Sequence, residues 1–321
     1  ARSGGEANAI AIRIARAASG RDKIAICGYH GWHDWYLASN LTSKNNLNSH
    51  LLKGLETNGV PKKLYNTAIP FQYNDFDALE KIIKKNKDIG VIKMEVRRNQ
   101  EPTDNFLEKV SEIAKKNKIV LIFDECTTGF REQYGGLHKK YKVEPDICIF
   151  GKALGNGYAI TAVIGKREIM KFAKTTFISS TFWTERIGFA AGLATLEVME
   201  KNKSWKKITK TGKEIKKRWI KLSNKYDLKI EIFGLDAIAG FNFLSKNNLA
   251  YRTLIVQEML SMGFLANNLV YVCTEHNEDI LNEYFYKLEK VFKLIKSCEE
   301  GNDIKNLLNT PIIESTFKRL N

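Results

Sequence analysis

Two short apolar runs, each closed by a charged position, constrain this chain more than any other feature. Both lie in the stretch KIVLIFDECTTGFREQYGGLHKKYKVEPDICIFGKALGNGY, residues 118–158. Residues 119–123 (IVLIF) run into Asp124 and Glu125, and residues 147–150 (ICIF) run into Gly151 and Lys152. Runs of four or five apolar residues, rich in β-branched types and bounded by turn signals, suit strands buried on both faces of a parallel sheet. Ligands of open α/β sheets sit at the carboxyl ends of the strands. An acid and a lysine are therefore expected on the same edge of one sheet.

The rest of the chain supplies that sheet. Ser3, Gly4 and Gly5 precede a helix over residues 6–19, with apolar positions Ala7, Ile10, Ala11, Ile14, Ala15 and Ala18 and a stop at Gly20. A strand follows at 23–27, then the aromatic loop GYHGWHDW at 28–35. Residues 38–73 are polar and irregular. Asn74 and Asp75 can cap a helix to residue 87, and 91–95 reads as a strand. Thr103 or Asp104 can cap a helix through Phe106, Val110, Ile113 and Ala114. A short strand at 162–165 and a helix from 186 to about 201 complete an alternation that predicts a mostly parallel α/β sheet flanked by helices. From about 203 the pattern changes: helices over 205–226, 249–262 and 278–297, and strands over 228–233, 237–244 and 264–273. The expectation is a large α/β domain over 1–202 and a small α+β domain over 203–321.

Composition adds bounds. No apolar run approaches the roughly 20 residues of a membrane span, and no signal peptide is visible. The formal charge is +15, but the lysines fall on polar helix faces, as at Lys84-Lys85 and Lys216-Lys217, without an aromatic platform. This predicts a solvated surface with a modest preference for anions, and neither a nucleic-acid nor a membrane partner. The five cysteines are scattered and lack metal spacing, which suits reduced thiols in a cytoplasm. His30, His33 and Asp34 match no zinc pattern, so no metal is expected. The chain starts at Ala1 and enters a helix at once, which suggests a piece of something longer.

Lys152 and Asp124 acquire meaning as a pair. A partly buried lysine loses its proton more readily and can attack an aldehyde to form an imine. An ionised Asp124 would hold the ring nitrogen of pyridoxal phosphate protonated, making the ring an electron sink. Taken singly, Lys152 reads as a strand-end lysine reaching water and Asp124 as a surface acid. Gly151-Lys152 does not end a phosphate-binding P-loop, because Asp146 and Ala153 occupy positions that require Gly and Ser or Thr. The Ser3-Gly4-Gly5 turn could bind a phosphate at the helix N-terminus, although such a turn alone is a weak signal.

Taken together, these motifs resemble class III (fold type I) pyridoxal-phosphate aminotransferases, and within them the glutamate-1-semialdehyde aminomutase-like branch. SGGEANAIAIRIARAASGRDKI looks like the phosphate-loop helix, Gly28-Tyr29-His30-Gly31 like the Tyr-His-Gly loop, and Asp124-Glu125, Thr128 to Arg131 and Asp146 to Gly157 like the core signature. The resemblance implies that Lys152 carries the internal aldimine and Asp124 binds the pyridinium nitrogen. It further implies that Ser3, Gly4 and Gly5 bind the phosphate, Tyr29 stacks on one ring face and Cys126 packs on the other. Thr181 would reach the phosphate of a partner subunit, because these enzymes are homodimers. The chain departs from the pattern at Gly5, Cys126, Val96 and Trp183 to Arg186. The resemblance also implies an N-terminal segment ahead of Ala1 that contributes to the sheet, the dimer contact and substrate recognition.

The implied function is transfer of an amino group between a small-molecule donor and a carbonyl acceptor through a Lys152 Schiff base. The alternatives are a 2,1-aminomutase, which runs both halves on one molecule, and a non-catalytic basic binding module on the same fold. Arg97, Arg98 and Arg131 are candidates for a substrate carboxylate by position alone.

Overall fold

Six strands are ordered β2-β1-β3-β4-β5-β6 in the first sheet of the computed structural model, which describes residues 1–315. The chain divides into Ala1–Asn202 and a second unit beginning at Lys203. Residues 316–321 of the expected second domain lie outside the described residues.

In the first unit, α1 (Gly4–Ser19) is capped by Ser3, whose hydroxyl accepts from the Glu6 N–H at 3.3 Å, and ends at Gly20 in the left-handed region, φ +64°. Then come β1 (Lys23–Cys27), the one-turn α2 (Asp34–Leu37), β2 (Ala68–Pro70), α3 (Phe76–Lys85) and β3 (Ile89–Glu95). They are followed by α4 (Phe106–Lys116), β4 (Val120–Glu125), β5 (Ile147–Phe150), β6 (Ala162–Gly165), the one-turn α5 (Arg167–Met170) and α6 (Arg186–Asn202). All neighbouring pairs are parallel except β5 with β6.

Two local expectations are corrected. The helix α4 starts from Asn105 rather than Thr103 or Asp104. Asp104 and Asn105 both sit at positive φ, +50° and +55°, a turn that these two residue types tolerate, so the helix begins after them. The strand β2 lies inside the polar stretch read as irregular. Its three residues pair with Ile24, Ala25 and Ile26, at the edge of the sheet where its proline is tolerated.

Strand alternation divides the buried side chains between the two faces. Ile24, Ile26, Val91, Ile122, Ile147 and Ile149 pack in one cluster with Ala7, Ala11, Ile12, Ile14 and Ala15 of α1. Because the period is two, Lys93, Glu95 and Asp124 share that face, and Glu125 points to the other.

The second unit contains α7 (Ser204–Lys225), β7 (Ile230–Phe233), β8 (Ile238–Phe243), α8 (Asn248–Ser261), β9 (Leu269–Tyr271) and α9 (Glu278–Glu299). Its three strands form an antiparallel sheet ordered β7-β8-β9. The core centres on Trp219, fully buried, 4.8 Å from the Phe241 ring and donating from Nε1 to the Tyr284 hydroxyl at 3.1 Å. A Cβ on Gly212 would lie 1.7 Å from the Asp236 carbonyl, so α7 approaches that turn only because this residue has no side chain. The strand expected over 264–273 is reduced to three residues. Asn268 bonds Phe241 through its own carbonyl and side-chain amide, at 3.0 and 2.8 Å, before regular pairing begins.

Candidate active site

Because β1, β3, β4 and β5 are parallel, their carboxyl ends meet at one edge. The register sets Glu95 beside Asp124 and Glu125 beside Phe150, two residues before Lys152. The chain also leaves β1 for β2 on one side and returns to β3 on the other, the kind of reversal at which α/β sheets open a crevice.

The adjacent acids Asp124 and Glu125 have separate work because they face opposite ways. Glu125, fully buried, accepts from the Leu137 and His138 N–H groups at 2.8 and 2.9 Å and contacts His138 Nδ1 at 2.8 Å. It folds the turn after β4 back on the strand. Asp124 faces α1. Its Oδ1 accepts from the Cys126 N–H at 3.1 Å, and its Oδ2 lies 2.9 Å from His30 Nδ1 and 3.4 Å from Lys93 Nζ. Burial works to raise the Asp124 pKa, but Lys93 and His30 outweigh it and hold the carboxyl well below the usual range. Asp124 is thus an ionised acid on a strand end.

Lys152 follows β5 in the left-handed region, φ +43°, an uncommon conformation for a residue with a side chain and the kind of strain that collects at functional sites. Its Nζ donates to Thr127 Oγ1 at 2.7 Å. Burial first, and the Arg98 charge second, push the Lys152 pKa down. Arg98 itself grips Glu95, with Nε at 3.0 and 2.9 Å from the two carboxylate oxygens. Replacing Arg98 by Gln removes a cation and frees an acid, and both changes favour the charged lysine. The midpoint of a pH profile for aldehyde trapping at Lys152 is expected to move to higher pH. Borohydride reduction and mass spectrometry at each pH check it.

The phosphate-loop candidates stand where the helix begins. Ser3 caps α1, and Gly4 and Gly5 form its first turn, whose N–H groups have no partner within the helix. A Cβ on Gly4 would lie 3.6 Å from Cys126 Sγ, and one on Gly151 would lie 3.4 Å from the same sulfur. Cys126 therefore ties the α1 N-terminus, the end of β4 and the Lys152 turn into one place. A Cβ on Gly5 would meet the His33 ring at 2.8 Å, so His33 packs against this turn. These features fit a phosphorylated, aldehyde-bearing ring: helix N–H groups for the phosphate, an amine for the aldehyde and an acid for a ring nitrogen.

Tyr29, in the loop after β1, receives its backbone position from Glu95, which accepts the Tyr29 N–H at 3.2 Å. Thr181 begins an exposed 3₁₀ turn, Thr181–Thr184. Arg2 holds that turn by donating from Nε to the Phe182 carbonyl at 2.9 Å and pairing with Glu185 at 2.9 Å. No hydrogen bond found among the described residues links Thr181 to Lys152 or Asp124. Arg97 pairs with Glu101 at 2.6 Å. Among the described residues no group of three or more His, Cys, Asp or Glu could hold a metal ion.

Three residues of the site were not singled out from sequence. Thr127 has no signature in the turn. Lys93 is visible as a charge interrupting the apolar strand VIKME, and His30 is visible as a rejected metal-ligand candidate and as part of the Tyr-His-Gly loop, with no role beside Asp124. His50 lines a cleft of 160 Å³ with Cys27, Gly28, Tyr73, Glu95 and Arg98. Its Nδ1 accepts from the Gly28 N–H at 3.1 Å, and its buried Nε2 has no hydrogen-bond partner among the described residues.

Burial lowers the pKa of His30 and takes that of His50 to about 4. In the unfolded chain both would bind a proton near pH 6.5. Below that pH the unfolded state holds more protons, so stability must fall as pH falls, by up to about 1.4 kcal/mol per pH unit for each histidine. For His50 the window runs from about 6.5 to about 4. Urea titrations between pH 7 and 5, compared with a His50→Gln variant, check this: the variant should lose part of the slope.

Residues 1–275 match the class-III aminotransferase family. The chain is 40% identical over 210 residues to a 3-aminobutyryl-CoA aminotransferase of Cloacimonas acidaminovorans, covering 63% of this chain and 47% of that protein. It is 32% identical over 311 residues to a glutamate-1-semialdehyde 2,1-aminomutase of Sulfurisphaera tokodaii, covering 90% of this chain and 73% of that protein. The chain thus spans about half of the first relative and about three quarters of the second. The FumI protein of Sphingopyxis sp. MTA144, solved in its PLP internal aldimine form, superposes with a TM-score of 0.82 at 19% identity, over 96% of this chain and 73% of that one. A transaminase solved with PLP bound gives 0.80 at 21% identity, over 94% and 74%. These two structures share the fold, and the mostly parallel sheet with its flanking helices is that of fold type I. On the family match and the relatives together, this chain belongs to the class-III aminotransferases.

Proposed function

We propose that the chain carries the core of a pyridoxal-phosphate-dependent transaminase, acting on a small-molecule amino donor and a carbonyl acceptor. The observation that carries this reading is the delivery of Asp124 and Lys152 by adjacent parallel strands to the edge where α1 begins. When bound, pyridoxal phosphate supplies an aldehyde carbon and a ring that accepts the electrons of a broken bond. Lys152 Nζ would hold the aldehyde, and its burial favours the neutral amine that attack requires. Released by an incoming amine, the same nitrogen would move a proton at the substrate carbon as base and then acid. Thr127 Oγ1 would aim it. Asp124 would accept a hydrogen bond from the ring nitrogen and keep the proton there. Ser3, Gly4 and Gly5 would bind the phosphate at the positive end of α1, with Tyr29 and Cys126 on the two ring faces.

A homodimer completes this reading, with Thr181 reaching the partner's phosphate. Four large apolar side chains of α6, namely Ile187, Phe189, Leu193 and Val198, are 52–62% exposed and support a subunit contact there. The five free cysteines support a reducing cytoplasmic setting.

A second reading, the aminomutase, is favoured by relatives of that name aligned along 90% of the chain. Turnover of an amino donor with and without a keto acid separates the two. A transaminase needs the acceptor, whereas product formed without it would assign the aminomutase. No conversion of any donor, with no visible absorbance after incubation with pyridoxal phosphate, would contradict both and leave a binding module.

A further inference from the structure

Lys93 is a charge in the interior of β3 that the proposed chemistry does not use. Its side chain is wholly buried and reaches Asp124 Oδ2 at 3.4 Å. The register pairs Lys93 with Ile26 on one side and Ile122 on the other, so an ammonium sits in the middle of an apolar sheet. A buried cation is retained only against a partner. The groups facing it are Asp124 and Cys126 from β4 and its turn, Glu95 from its own strand, and His30 from the loop after β1.

His30 shows what Lys93 does. Both ring nitrogens face acceptors, with Nδ1 2.9 Å from Asp124 Oδ2 and Nε2 3.1 Å from the Cys27 carbonyl. A neutral imidazole can donate to only one of them, and an imidazolium would satisfy both. The pocket is thus shaped for a second proton on His30. Two cations beside one carboxylate in a buried site would leave an excess charge. Burial lowers the Lys93 pKa, but Asp124 and Glu95 oppose that shift and lysine starts far above histidine, so Lys93 takes the place first.

We infer that Lys93 is a positioning residue that gives Asp124 a fixed counter-charge and keeps His30 neutral. Asp124 then stays ionised and in place across the pH range in which a histidine would titrate. The inference rests on the proposed role of Asp124 toward the cofactor ring, but its first consequence is visible without cofactor. Burial and the Lys93 charge both lower the His30 pKa, and Asp124 opposes them.

The test compares the full chain with Lys93→Met, which keeps the length and removes the charge, and Lys93→Arg, which keeps the charge. The chain has five histidines, so isotope-labelled imidazole signals can be followed through a pH titration, with His30→Gln assigning one of them. In the unsubstituted chain His30 should titrate below the ordinary histidine midpoint of about 6.5. In Lys93→Met the midpoint should rise, and in Lys93→Arg it should stay low. Cofactor capture provides the second readout. Its affinity should be flat through the histidine range in the unsubstituted chain and should become pH-dependent there in Lys93→Met. A His30 midpoint above 6.5 in the unsubstituted chain would overturn the inference even if no variant folds. So would an unchanged midpoint in a folded Lys93→Met. Absence of any cofactor capture, with the His30 shift as expected, would overturn the proposed function and leave the charge balance standing.

Discussion

Lys152→Ala should abolish covalent capture of pyridoxal phosphate and leave the chain folded. No borohydride-fixed adduct should form at this position, and any transamination should fall by about 10²–10⁴, the usual worth of a positioned acid–base group, or more because the covalent tether is lost as well. The unusual part of the prediction concerns stability. Lys152 is an exposed residue at φ +43° whose amine is partly desolvated. Its amine donates a hydrogen bond to Thr127. Removing the amine removes a desolvation cost, so melting of Lys152→Ala should match or exceed that of the unsubstituted chain. Lys152→Gly, which also accepts the backbone angle, should gain about a further 1 kcal/mol. Functional residues commonly trade stability for chemistry in this way. A catalytic loss accompanied by unfolding would instead make Lys152 a structural residue.

Asp124→Leu should behave in the opposite manner and damage both stability and cofactor binding. The substitution leaves the Lys93 ammonium buried without its ion-pair partner, and His30 Nδ1 without its acceptor. Breaking one member of a buried ion pair costs roughly 3–5 kcal/mol. For a folding unit of this size that corresponds to a fall in Tm of roughly 10 °C. Removing both charges as Lys93→Met with Asp124→Leu should recover much of this loss, because apolar replacements of a buried pair are often close to neutral. The coupling from a double-mutant cycle should therefore exceed about 1 kcal/mol, the sign of groups in direct contact. The double variant should still fail to bind the cofactor ring productively, since no acid remains for its nitrogen. Thermal melts and cofactor titrations of the four proteins give both numbers.

The sequence carried the sheet edge well and the support behind it poorly. Residues 119–125 and 147–152 were legible because strands buried on both faces need unbroken apolar runs, and a charge at the end of such a run marks the edge. The end of α1 was legible from Gly20, whereas its start was expected at Glu6 and lies at Gly4, because Ser3 caps the helix and both glycines enter its first turn. The three-residue β2 was not, because its pairing with β1 comes from tertiary contact and its sequence, AIP, has no period to read. Similarly, the alternation that sends Asp124 toward α1 and Glu125 toward His138 follows from strand pairing alone. Until that is known, the two adjacent acids look equivalent. Lys93 is the instructive case. A lysine within VIKME breaks the apolar run, and a buried strand cannot tolerate it without a partner. The partner lies 31 residues away on the neighbouring strand and becomes visible only when β3 and β4 are set in register.

The most direct measurement is to reduce the chain with borohydride after incubation with pyridoxal phosphate, digest it and locate the modified peptide. The chain contains many lysines, most of them on exposed helix faces; Lys93 is wholly buried beside Asp124, and Lys152 is exposed with its amine bonded to Thr127. The account predicts stoichiometric modification at Lys152, with Lys93 unmodified because Asp124 holds its ammonium in the core. Modification at Lys93, or adducts scattered over the surface lysines with Lys152 spared, would contradict it.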